Sequence, residues 1–229
     1  MSDRMLPAPG ETGHTGARLN ALLVQAALPP LTRELSDRFE TYLGLILRWN
    51  ARTNLTSIRD EAGILSRHFV ESIACAHAFP PGANTLLDFG SGAGFPGIPI
   101  ALCRPEISVT LAESRIKKAA FLREAIRVLG LRAAVHAARA ESLTAAFDCV
   151  TMRAVDQMHK AVSVAARLVS PGGSLVLLTT GAESSSLKSK VGFGFTWNPV
   201  IRLPFGTDRQ IEVGLRADAA VQAFPAGLR

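Results

Sequence analysis

Apolar residues recur along this chain in two rhythms, and the change near residue 81 divides it. Leu31, Leu35, Phe39, Leu43 and Ile46 follow one another every three or four positions, the stripe of an amphipathic helix that ends near Trp49. A second helix is predicted from about Asp60 to Phe79, with Ile64, Leu65, Phe69, Ile73 and Ala76 on one side and Pro80-Pro81-Gly82 as its stop. Beyond it, short apolar runs alternate with helical stretches. Thr85 to Phe89 reads as a buried strand, Gly97 to Cys103 as the start of a helix, and SVTLAES (108–114) as a second strand. Arg115 to Leu129 places Ala119, Leu122, Ile126 and Leu129 on one helical face, with Gly130 as a C-terminal cap. AAVHAA and FDCVTM are strand-like, HKAVSVAARLV is helical, SPGG is a turn and SLVLLTT is a fifth strand, while VIRLPF and RQIEVGLRA form a closing antiparallel pair. Such alternation specifies an α/β fold, a doubly wound, mostly parallel sheet with helices on both faces and an N-terminal helical extension.

This gives four segments. Residues 1–17, rich in Gly, Pro and Thr, have almost nothing to bury and are expected to be a disordered tail. Residues 18–81 form the helical subdomain, 82–216 the α/β domain and 217–229 a C-terminal tail. No internal repeat is visible.

Residues 86–102 read LLDFGSGAGFPGIPIAL, and their glycines fit two loops. Gly92 to Gly97 matches the G-x-G-x-x-G of a dinucleotide site; Asp88 to Gly94 matches the D-x-G-x-G-x-G of S-adenosylmethionine enzymes. Asp88 is the discriminator. A pyrophosphate against that turn would meet like charge, whereas S-adenosylmethionine brings an α-ammonium and a sulfonium, and its carboxylate can accept from the turn's N–H groups. Pro96 and Pro99 also imply an irregular helix start. Glu113 ends the second strand, near the spacing of roughly 20 residues at which an acid meets ribose hydroxyls. Both cofactors have that ribose, so Glu113 supports a nucleoside-containing ligand without choosing between them.

Composition narrows the partner. The 229 residues include 25 basic and 19 acidic side chains, a net charge of +6, and 48% are hydrophobic. That excess suits an anionic partner such as nucleic acid. Cys75, Cys103 and Cys149 form no C-x-x-C pair, so neither a disulfide framework nor a zinc site is indicated. Cys149 should pack as a small hydrophobe. His68, His136 and His159 have no metal-ligand spacing and are expected at the surface or in packing; no metal is expected. No apolar run approaches the roughly 18 residues of a membrane helix, and residues 1–18 lack the apolar core of a signal peptide, so the expectation is a cytoplasmic protein without membrane association, and a monomer.

Several longer segments are more specific: RWNARTNLTSIRD with LSRHFVESI, the glycine segment, LAESRIKKAAFLREA, ARAESL, FDCVTMRAV and DRQIEVGLRA. Across residues 31–216 the chain resembles the bacterial small-subunit rRNA guanine-N7 methyltransferases, the RsmG or glucose-inhibited division protein B family, with W-N-x-x-x-N-L-T and G-x-G-F-P-G-I-P as its most specific motifs. The resemblance implies a class I (Rossmann-like) methyltransferase sheet, S-adenosylmethionine as cofactor, and 16S rRNA or the 30S subunit as partner. The reaction it implies is methylation of N7 of guanine 527 in the 530 loop. It places Asp88, Gly90, Gly92 and Phe95 at the cofactor, Glu113 on the ribose, and Ala140 and Glu141 beside the adenine. Arg153 falls at the cofactor and active site, while Lys117, Arg139 and Arg209 surround the cleft as RNA-binding residues. Arg139, Arg153 and Arg209 are thus the expected catalytic set. Where many family members have Lys-Gly at the end of the fifth strand, this chain has Thr180-Gly181, which puts one RNA contact in question.

Guanine N7 offers a lone pair and has no proton to lose. Methylation there needs positioning and desolvation rather than a general base, which agrees with the lack of an evident His or Cys nucleophile. Trp49, at helical spacing from the apolar stripe, is expected in the core rather than stacked on a base. Arg115, Lys117, Lys118, Arg123 and Arg127 could track phosphates or simply solvate a helix face. Three rival functions remain: a small-molecule methyltransferase, a dinucleotide oxidoreductase and a non-catalytic ribosome-binding protein.

Overall fold

A computed structural model describes residues 13–206 and 208–218. Helix α1 (Gly13–Gln25) goes beyond the apolar pattern, and it takes in residues 13–17 of the expected tail. It is anchored by Leu19 and Leu23, both fully buried against the next helices. Residues 1–12 and 219–229, most of the two tails, lie outside the described residues.

Helix α2 (Arg33–Thr53) begins where the Thr32 hydroxyl accepts the Leu35 N–H and ends at Asn54 in the left-handed region. The second predicted helix is continuous from residue 61 to 78 but changes its winding: α3 (Glu61–Gly63), a π-helical stretch (Ile64–Val70), then α4 (Glu71–Ala78). Asp60 caps it, accepting the Gly63 N–H at 2.7 Å. Wide π turns recur at functional sites, and periodicity alone does not reveal them.

The sheet has the order β3-β2-β1-β4-β5-β8-β6. Strands β1 (Thr85–Phe89), β2 (Ser108–Ala112), β3 (Ala133–His136), β4 (Phe147–Arg153) and β5 (Val169–Thr180) are parallel; β8 (Arg209–Arg216) runs antiparallel to β5, and β6 (Phe195–Trp197) to β8. Of VIRLPF only β7 (Ile201–Arg202) pairs with β8. SPGG is not a free turn: β5 runs through it with Gly172 at φ +74°, beside a register shift against β4. Helices α5 (Gly97–Cys103), α6 (Ile116–Leu129, capped by Gly130) and α7 (Met158–Arg167) fall where expected, whereas α8 (Gly181–Val191) escapes the apolar pattern because it buries only Ser184 and Leu187.

Successive residues of β5 explain the layering. Val176 and Leu178 enter the core beneath the N-terminal helices, Leu175 and Leu177 the core beneath α7 and α8. In the first core Tyr42 stacks on Phe69 at 5.5 Å, Phe39 meets Phe69 edge-on, and Trp49 packs on Phe121 while donating to Glu124. Phe39, Tyr42 and Phe69 are fully buried, each contributing about 1.5–3 kcal/mol. The helical segment is therefore fixed on the sheet, and its residues can form part of a site there.

Candidate functional site

A cleft of about 820 Å³ opens at the carboxyl ends of β1, β2 and β4, where the strand order reverses. Its floor is the glycine turn. Gly90, Gly92 and Gly94 have φ of +75°, +58° and +90°. A Cβ on Gly94 would sit 2.5 Å from Ile98 and 2.7 Å from the Tyr42 hydroxyl; one on Gly92 would meet no atom nearer than 3.9 Å. Gly94 is thus required by packing, whereas Gly92 presents bare backbone to the cleft. From α2, the Tyr42 hydroxyl donates to the Ala93 carbonyl at 2.6 Å and pins the turn from below.

Asp88 does not open to the cleft as expected. It is 1% exposed, accepting the Gly97 N–H at 3.1 Å and the Thr151 hydroxyl at 3.1 Å, so it braces the turn instead of facing a ligand ammonium. Burial raises its pKa to about 6 against those hydrogen bonds. Of the turn's N–H groups, those of Gly90, Ser91, Gly92, Gly94 and Phe95 have internal acceptors, which narrows the donors expected for a ligand carboxylate to that of Ala93. Lys118 Nζ would lie 3.9 Å from a Cβ on Gly92, and Arg153 is a second cation in the cleft wall.

Glu113 extends from the tip of β2, its oxygens accepting the Gly92 N–H at 3.1 Å and the Arg115 N–H at 2.7 Å. Each oxygen keeps a lone pair, enough for two neighbouring ribose hydroxyls. Ala140 and Glu141, in a short 3-10 turn after β3, form the adjoining wall with Arg139.

The opposite end is built by the helical segment. Leu55, Thr56, Ser57 and His68 join Phe95 and Arg153 there. The His68 ring lies parallel to Phe95 at 4.4 Å, its Nε2 is 2.7 Å from the Thr56 hydroxyl, and its Nδ1 is buried without a partner. Burial, then the charges of Arg153, Arg67 and Arg209, lower its pKa to about 2, so it is neutral. Reading His68 as a mere packing or surface residue misses this; the signal for it is its place within LSRHFVESI.

Arg153 is 9% exposed at the tip of β4. Its Nη2 donates to the Arg67 carbonyl at 2.6 Å and lies 2.8 Å from Glu71 Oε2, while its Nη1 is buried without a partner. Burial lowers its pKa to about 10, which leaves it cationic. Of the expected RNA-binding residues, Arg139 lines the cleft. Arg209 lies behind the wall, bound to Glu71, and Lys117 points to solvent beside Lys118. Thr180 stands opposite Arg209 in the β5–β8 register. Among the described residues no group of three or more metal ligands occurs, and no helix is long and apolar enough to cross a membrane.

Residues 35–190 match the family described as rRNA small subunit methyltransferase G. The chain belongs to that family. The ribosomal RNA small subunit methyltransferase G of Roseiflexus sp. (strain RS-1) is 43% identical over 82% of this chain and 86% of its own length. Its counterpart from Xanthomonas euvesicatoria is 46% identical over 60% of this chain, a match that spans 65% of that protein's length. A solved methyltransferase from Pyrococcus furiosus, 16% identical over 80% of this chain and 99% of its own, superposes with a TM-score of 0.58. The fold is thus the class I methyltransferase sheet, and membership of the methyltransferase G family makes S-adenosylmethionine the cofactor. The bare backbone at Gly92 and the spare lone pairs of Glu113 fit it.

Proposed function

We propose that the chain methylates N7 of guanine 527 in the 530 loop of 16S rRNA, acting in the cytoplasm as a monomer on the rRNA or the 30S subunit. The family match over residues 35–190 carries the substrate class. The cleft supports the chemistry. Bound S-adenosylmethionine supplies a methyl on a sulfonium, and transfer to N7 breaks the carbon–sulfur bond and moves the positive charge to the base without releasing a proton. Glu113 would hold the ribose, Ala140 and Glu141 would flank the adenine, and Arg139 would meet RNA at the rim. At the other end no proton acceptor is called for. His68 stays neutral and Arg153 offers the two N–H groups of Nη1 to an acceptor atom of the base. Arg209 supports this end through Glu71 rather than from the cleft wall.

The test is methyl transfer from labelled cofactor to 30S subunits and to protein-free 16S rRNA from cells lacking this enzyme, with the modified nucleotide located by borohydride–aniline cleavage. Cleavage at guanine 527 is expected. Cofactor binding without transfer to either RNA form overturns the rRNA assignment, and then Thr180 is the first residue to change to Lys.

A further inference from the structure

Three guanidinium groups converge on one fully buried carboxylate, Glu71, at the start of α4. Arg209 grips it with two prongs, Nε to Oε1 at 2.7 Å and Nη2 to Oε2 at 2.8 Å. Arg153 Nη2 reaches Oε2 at 2.8 Å, and Arg67 Nε lies 3.5 Å from Oε1. The four side chains carry a net charge of +2. Arg209 alone, in forked geometry, compensates the buried carboxylate. The Arg153 contact is therefore surplus to neutralisation, and its consequence is orientation. Nη2 donates to the Arg67 carbonyl and is ion-paired with Glu71 Oε2, which together restrain the planar guanidinium, and Nη1, buried and unpartnered, is the donor left over on a side chain that lines the cleft with Phe95 and His68.

We infer that Glu71 is a positioning residue for methyl transfer: through Oε2 it holds Arg153 in the one orientation that leaves Nη1 free for a hydrogen-bond acceptor on the substrate. The inference rests on reading the cleft as the methyl-transfer site. It also gives the helical segment a part in the reaction, because Glu71 stands on α4 whereas Arg153 and Arg209 come from β4 and β8.

Removing Glu71 alone leaves three cations without their anion, so loss of folding could imitate loss of positioning. Glu71→Gln combined with Arg67→Gln restores the original net charge and keeps the Arg67 carbonyl, with Arg67→Gln alone as baseline. The full-length variants are compared by melting temperature, by calorimetric affinity for S-adenosylmethionine, by kcat and KM on 30S subunits, and by the guanidinium signals of Arg153 in ¹⁵N-arginine NMR. The double variant should melt with its baseline and bind the cofactor within about 3-fold of it. Its kcat should fall on the order of 100-fold, the scale of an ångström-level misplacement. The slowly rotating guanidinium signals of Arg153 should be lost. If kcat returns to baseline along with the melting temperature, or the Arg153 signals persist, Glu71 is a structural staple only and the inference is overturned. Should the double variant not fold, Glu71→Asp, which keeps the charge but shortens the reach, carries the same expectations. If the wild type methylates neither RNA form, the functional reading falls by itself and the Arg153 signals alone decide whether Glu71 orients that side chain.

Discussion

Replacing Glu113 by Gln isolates the acid at the tip of β2. Its two oxygens accept two backbone donors, the N–H of Gly92 at 3.1 Å and that of Arg115 at 2.7 Å, on a side chain only 8% exposed. An amide has one oxygen, so after Glu113→Gln one of those N–H groups must face an NH₂. An unpaired buried donor costs about 1–3 kcal/mol, and a lost charge-assisted bond to a ribose hydroxyl about 1.5–3 kcal/mol. The first loss acts on the empty protein, lowering its melting temperature by about 2–4 °C per kcal/mol for a chain of this size. The second acts on the complex, where about 1.4 kcal/mol is tenfold, so affinity for S-adenosylmethionine should drop roughly 10- to 100-fold. Calorimetric titration with the cofactor and a thermal scan without it separate the two. Cofactor affinity within twofold of wild type would refute the ribose role, and an unchanged melting temperature would refute the account of Glu113 as the clamp between Gly92 and Arg115.

Three further predictions address the turn and the far end of the cleft. Tyr42→Phe removes the donor to Ala93 and should cost about 1–3 kcal/mol of stability with a weaker hold on the cofactor; a melting temperature equal to wild type counts against the brace from α2. Asp88 has a folded pKa of about 6, above its ordinary 3.8, so its contribution to stability is full below pH 3.8 and is lost as pH rises through 6. Asp88→Asn should accordingly lose up to about 3 kcal/mol less than wild type between pH 4 and 8 in urea titrations, and parallel stability curves would contradict this. His68→Ala should leave cofactor affinity within about 3-fold but lower kcat/KM on 30S subunits by roughly tenfold or more, as loss of a substrate-facing group does; equal weakening of both would place His68 at the cofactor instead.

What the sequence determined by itself is whatever local pattern dictates. Period-two and period-3.6 apolar spacing set the order of strands and helices, Gly130 marks a helix end, and the glycine run with Glu113 at the next strand tip marks the place of the cleft, because each depends on neighbours within a few turns of chain. Helices α1 and α8 escape for the matching reason, since two buried leucines in one and a single buried leucine in the other make too short a stripe. Tertiary structure alone decided the rest. Asp88 points beneath the turn because Thr151, 63 residues away, and Gly97 meet it there. His68 enters the cleft because Phe39, Tyr42 and Phe69 fix its helix on the sheet. Arg209 and Glu71, 138 residues apart, pair through the meeting of β8 with α4. A buried charge takes its role from the partners that desolvation forces on it, and those partners are chosen by chain topology, which no local spacing records.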